Sequence, residues 1–189
     1  MQDVFKYYQN FKALENDLVT LLRFVELSEE NYQVNSAEIR KLILASCSMI
    51  ESLTPALKND LQYNTLQEKT ESAAQYIFRI TKEKNIDITN LKPIIYGKKF
   101  NPWEENRLKE WWNAYNTIKH SEKDQDNINF FEAAINSVVA FFVLVALLTR
   151  KTSIHIFWHE YDLIKLSGDT DSPIPYNQQS SISSIFKWI

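Results

Sequence analysis

The run Val138-Val-Ala-Phe-Phe-Val-Leu-Val-Ala-Leu-Leu148 is apolar at eleven consecutive positions. A bilayer crossing takes about 20 such residues. Extending this run toward the N-terminus meets Asn136 and Glu132, both costly in lipid. On a helix the stretch is apolar nearly all round, which fits the buried centre of a bundle. A helix is expected there from about Ile128 to Lys151, covered by the other elements of the chain.

The segments before it carry apolar residues at helical spacing. A first helix is read from about Asp3 to Leu27, with Phe11, Leu14, Leu18, Leu21, Leu22 and Val25 on one side. Asn35-Ser-Ala-Glu38 reads as a capping box opening a second helix. Its stripe is Ile39, Leu42, Ile43, Ile50 and Leu53, and Pro55 is expected to kink or end it near Leu53. The run Ala45-Ser-Cys-Ser within it is small and suits close approach of another helix. Thr65-Leu-Gln-Glu68 reads as the start of a third helix reaching about Lys84. Residues 85–100 read as a connection punctuated by Pro93 and Gly97. Asn101-Pro-Trp-Glu104 places Asn as cap, Pro at the first helical position and Glu at the third, opening a fourth helix to about His120.

The chain has 189 residues and only two glycines, Gly97 and Gly168, too few for the tight turns of an all-β or α/β fold. The expected class is all-α: an up-and-down bundle of about five helices over residues 1–151. Residues 152–189 form an extension, largely irregular, that packs on the bundle or on a partner. Within it, residues 154–166 suit either helix or strand.

Charge and composition narrow the function. The formal net charge is −3, which gives no global pull toward nucleic acid. Lys82, Lys84, Lys92, Lys98, Lys99, Arg107, Lys109, Lys119 and Lys123 cluster around the fourth helix, interspersed with acids, as a solvated surface or an anion-attracting patch. Cys47 is the only cysteine, so one chain builds neither a disulfide nor a cysteine zinc site. The start, Met1-Gln-Asp-Val-Phe-Lys, has no basic segment followed by an apolar run, and a cytoplasmic location is expected. His155 and His159 would stand one turn apart on a helix, near Glu160 and Asp162. The intervening Ile-Phe-Trp favours packing over metal binding, and no metal or cofactor is expected. Trp103, Trp111, Trp112, Trp158 and Trp188 suit core or interface better than base stacking.

The fourth helix carries the chemistry. At about 100° per residue, Leu108, Trp111, Tyr115 and Ile118 share one side. Lys109, Asn113, Asn116 and His120 share the other, flanked by Trp112 and Lys119. Carboxamides and an imidazole hydrogen-bond and move protons, and contribute little to helix propensity. His120 stands where the helix dipole favours a cation, which suits a proton shuttle and a plain C-capping histidine alike.

The pattern Asn-Pro-Trp-Glu … Trp-Trp-Asn-Ala-Tyr-Asn-Thr-Ile-Lys-His, followed by a long apolar helix, resembles the HEPN superfamily over roughly residues 36–150. These are all-α domains of bacterial toxin–antitoxin and phage-defence systems. Ala45-Ser-Cys-Ser-Met-Ile-Glu51 resembles the acidic position that some members bring to the same cleft as a supporting group. The resemblance implies a homodimer with the cleft near its seam, with RNA or an antitoxin-like protein as partner. Active members are metal-independent ribonucleases in which a His exchanges protons with the ribose hydroxyl while an Arg, separated from it by four to six residues, holds the phosphate. No Arg stands at that spacing before His120; Asn113 occupies the place of the longest spacing, on the same helical face. Asn brings hydrogen bonds without charge. The implied function is therefore an altered HEPN-like domain that binds RNA or a partner. The alternatives are an RNA endonuclease using His120 and Asn113 with Lys109 or Lys119, and a plain interaction scaffold. Candidate site residues are His120, Asn113 and Asn116 for catalysis, and Lys109, Trp112, Lys119 and Lys123 for nucleic acid. Glu51 would act behind them.

Overall fold

The computed structural model describes residues 2–120, 127–149 and 163–165. It is an all-α bundle of five helices: α1 (Gln2–Leu21), α2 (Ala37–Asp60), α3 (Ala73–Glu83), α4 (Glu105–Lys119) and α5 (Phe130–Thr149). A 3-10 turn, Glu29–Asn31, joins α1 to α2. All twenty residues of α5 are buried, although by length and composition that helix would suit a membrane. Helices α1, α2 and α4 pack directly around it. Phe11 of α1 meets Phe142 of α5 with ring centroids 5.0 Å apart.

The small run on α2 does what its side chains allow. The Ser46 hydroxyl donates to Ser137 Oγ of α5 at 2.7 Å, and Ser137 donates to its own helix at the Ala134 carbonyl, 2.9 Å away. Short side chains bring two helices close, and both hydroxyls introduced at this contact are hydrogen-bonded.

Four boundaries differ from the sequence expectation, each for a local reason. Helix α1 ends at Leu21, not Leu27, because the Arg23 and Phe24 amides bond back only three residues and tighten the last turn. Helix α2 runs through Pro55 to Asp60. Leu57 and Leu61 are buried, and Tyr7 of α1 donates to the Ser52 carbonyl at 2.9 Å beside the proline. Tertiary burial outweighs the lost amide there. Helix α3 opens at Ser72, not Thr65. The Gln75 amide donates to Ser72 Oγ and the Ser72 amide donates to Gln75 Oε1. Ser72 immediately precedes the buried Ala73, Ala74 and Ile77, whereas Thr65 precedes Leu66, which is exposed. Helix α4 opens at Glu105 instead of Pro102. Trp103 drops fully into the core with its Nε1 on the Ala140 carbonyl at 3.3 Å, and the Pro102 carbonyl accepts from Trp111 Nε1 at 2.8 Å.

Within the connection 85–100 the chain forms a small hairpin that the sequence did not announce: β1 (Ile94–Ile95) and β2 (Lys98–Lys99). Tyr96 and Gly97 between them both have positive φ, 48° and 81°, as a two-residue hairpin turn requires. A third strand, β3 (Ile164–Lys165), pairs antiparallel with the other edge of β1. The Ile164 amide donates to Glu15 Oε1 of α1 at 3.2 Å, and Leu163 and Ile164 are buried. This part of the extension therefore packs on the bundle; the rest of 152–189 lies outside the described residues.

The loop before α3 is held by Arg79. Its guanidinium takes both Glu71 oxygens, at 2.8 and 2.7 Å, and donates to the Tyr63 hydroxyl at 2.9 Å. Arg79 holds the Glu71 carboxyl below its ordinary value of 4.5. The stabilisation is therefore complete above pH 4.5 and is lost as pH falls through the lower folded value. Glu71→Gln should cost about 1–2 kcal/mol near neutral pH by urea unfolding. The gap between variant and parent should close as the pH is taken below that range.

Candidate functional site

Helix α4 lies over α5 and α2 with Leu108, Trp111 and Tyr115 inward and buried. Opposite them, Asn113 and His120 are exposed and Asn116 is half-buried. His120 closes the helix; its amide donates to the Asn116 carbonyl at 2.9 Å. A helix rises about 1.5 Å per residue, so Asn116 lies about 6 Å and Asn113 about 10 Å along the axis from His120.

Among the described residues, the cations near this strip are engaged. Lys109 Nζ donates to Glu105 Oε1 at 2.8 Å. Lys119 Nζ donates to Glu51 Oε1 at 3.0 Å and sits 4.9 Å from the centre of the Tyr115 ring. The Tyr115 hydroxyl takes the other Glu51 oxygen, also at 3.0 Å. Glu51 thus supports Lys119 and Tyr115, clamping α4 to α2. Hydrogen bonding to Tyr115 and then Glu51 raises the Lys119 pKa above its ordinary 10.5. Burial raises that of Tyr115. Arg107 is thirteen residues before His120, about 20 Å along the helix.

Trp112, expected beside the polar strip as a stacking residue, is buried. It packs edge-on against Trp111 and Tyr115, with ring centroids 5.5 and 5.1 Å away. An indole about a quarter-turn from the centre of the core face still turns inward when aromatic neighbours close over it. Lys123, His155, His159, Glu160 and Asp162 lie outside the described residues.

A hollow does open beside the strip, but only Asn113 of the trio lines it. It has a volume of about 150 Å³. Glu110, Trp111 and Asn113 of α4 form one wall. Asn129, Glu132 and Asn136, at the start of α5, form the other, with Asn127, Ile128 and Ala133. Glu132 is the centre of this wall, its side chain 10% exposed. Arg107 Nη1 donates to Glu132 Oε1 at 2.7 Å and to Glu110 Oε2 at 3.0 Å. Asn129 Nδ2 donates to Glu132 Oε2 at 3.1 Å. Asn136 Nδ2 donates to the Glu132 carbonyl at 3.1 Å. Burial works against the Arg107 charge, but Glu132 and Glu110 outweigh it and its pKa is raised.

Sequence reasoning had used Glu132 and Asn136 only to argue against a membrane span. A further signal was present: Asn129, Glu132 and Asn136 stand at i, i+3, i+7 on a helix otherwise almost wholly apolar. Three polar groups on one stripe of such a helix require a polar neighbour, and α4 supplies it.

Comparison with protein-family models, with curated proteins and with solved structures returns no match.

Two outcomes follow. Arg107→Met leaves a mostly buried carboxylate without its cation and should cost about 1–3 kcal/mol in urea unfolding, because Arg107 itself is half-exposed. The Lys119 contribution is complete below pH 10.5 and is lost as pH rises through the raised folded value. Lys119→Met should therefore give a flatter loss of stability than the parent as pH rises through and above 10.5.

Proposed function

We propose that this chain is a HEPN-like helical module that works by binding rather than by cutting RNA, with the strip Asn113–Asn116–His120 facing a protein partner. The observation that carries this reading is the state of the nearby cations: Lys109 is paired with Glu105, and Lys119 with Glu51. Phosphoryl transfer by an imidazole needs positive charge beside the developing oxyanion. The strip offers carboxamides and an imidazole, which suit hydrogen bonding to a polar protein surface. The resemblance stated above makes a second copy of this chain the partner of choice, and the same resemblance suggests a cytoplasmic bacterial defence or toxin–antitoxin setting. Ribonuclease action by His120 with Asn113 and a lysine is the competing reading, favoured by the exposure of His120 and its place on one face with both amides.

Sedimentation equilibrium and an RNA cleavage assay separate the two. The parent should self-associate, and Asn116→Arg with His120→Glu should weaken association at least about tenfold, or about 1.4 kcal/mol. RNA should stay intact. A monomeric protein that binds RNA with steep salt dependence, or cleavage that vanishes in His120→Ala, would overturn the proposal.

A further inference from the structure

We propose that the slot between β1 and α1 is a strand-acceptor site through which copies of this chain exchange β3, residues 163–165 of one copy filling the slot of another. The slot holds an extended chain along both edges. On one edge β1 pairs with it antiparallel, Ile94 opposite Lys165 and Ile95 opposite Ile164. On the other edge the Ile164 amide donates to Glu15 Oε1 of α1 at 3.2 Å. Between the edges Leu163 is 3% exposed and Ile164 fully buried.

Glu15 defines the chemistry of the occupant. It is 1% exposed, and Lys12 Nζ donates to its Oε2 at 2.7 Å. That ammonium balances the charge, so the remaining oxygen needs a neutral donor, and a strand amide is one. A buried acceptor stripped of its donor is costly, so the slot favours being filled. What it reads is backbone on both edges and apolar side chains between them. Strand β3 of any copy meets that description equally well.

The covalent connection does not tie β3 to its own slot. Residues 150–162 stand between the end of α5 and Leu163. At full extension that length of chain spans about 45 Å, against about 30 Å for the whole of α5. Exchange of an identical element leaves every slot filled by the same contacts, and mass action decides between a copy's own strand and its neighbour's. The opposite edge of the sheet offers no such route. Strand β2 is Lys98–Lys99, both exposed, and two such edges facing one another repel.

Disulfide cross-linking of the full chain tests the exchange. Directly opposed residues of antiparallel strands have Cα atoms about 4.5–5.5 Å apart, within reach of a disulfide. One chain carries Ile94→Cys and a second, isotopically labelled, carries Lys165→Cys; Cys47 is fully buried and stays in place. The two are mixed in urea, refolded together by dilution and gently oxidised, and peptide mass mapping reads the linkage. A bond from position 94 of one chain to position 165 of the other is expected, with a yield that rises with protein concentration during refolding. Adding Ile164→Asp to the Lys165→Cys chain should lower that yield at least about tenfold, because a carboxylate does not enter a buried apolar position. That substitution lies outside the five helices. Absence of the bond between chains at every concentration, or a bond that survives Ile164→Asp unchanged, would rule the exchange out. A strand-exchanged pair separates on dilution only as fast as a strand leaves its slot, whereas association through Asn113, Asn116 and His120 is reversible. Asn116→Arg with His120→Glu should leave the cross-linking yield unchanged, so the exchange and the proposed binding face can fail separately.

Discussion

An α-helix that is apolar around its whole circumference has no face to give to water. Helix α5 is such a helix, and enclosing it fixes the placement of α1, α2 and α4. The enclosure also explains the polar atoms of the core. Ser46 meets Ser137, Asn136 returns to the Glu132 carbonyl, and Thr149 donates to the Ala146 carbonyl. Each hydroxyl or amide on α5 is either bonded within the helix or met by a neighbour.

The constraint reaches the surface at one end. The first turn of α5 carries Glu132, a charge that the surrounding hydrocarbon cannot satisfy. Arg107, Asn129 and Glu110 gather there, and the hollow follows from their gathering. At the other end of α4, Glu51, Tyr115 and Lys119 form a second polar clamp, this time to α2. Helix α4 is thus held by an ion-pair cluster near each terminus and by Trp103 and Trp111 between the bundle layers. The outward strip ending in His120 is presented by a rigid support.

Much of this was legible in the residues. The circumferential apolarity of 138–148 announces a buried helix, and the shortage of glycine announces an all-α fold. The inward set Leu108, Trp111 and Tyr115 follows from helical spacing. Starts and stops were less legible because two candidate capping boxes, at Thr65 and at Ser72, precede the same apolar stripe. The one adjoining buried residues prevails. Pro55 misleads for a similar reason: its cost is local, while the burial of Leu57 and Leu61 that offsets it is tertiary. The hollow was harder still. Spacing places Asn113, Asn116 and His120 on one face, but it does not say which of them a second helix approaches. Only the crossing of α5 decides that Asn113 lines the same cavity as Asn129, Glu132 and Asn136. Trp112 shows the same limit, since its helical angle alone leaves it on the border between core and solvent.

The bond between the Ile164 amide and Glu15 spans 149 positions of the chain. Loop-closure entropy grows only slowly with length, but it must be overcome before the contact returns anything. Strand β3 docks on surfaces supplied by α1 and by the β1–β2 hairpin, and it adds one more non-local contact to a bundle whose α1–α5 and α2–α5 packing already joins distant parts of the chain, the kind of topology that slows folding.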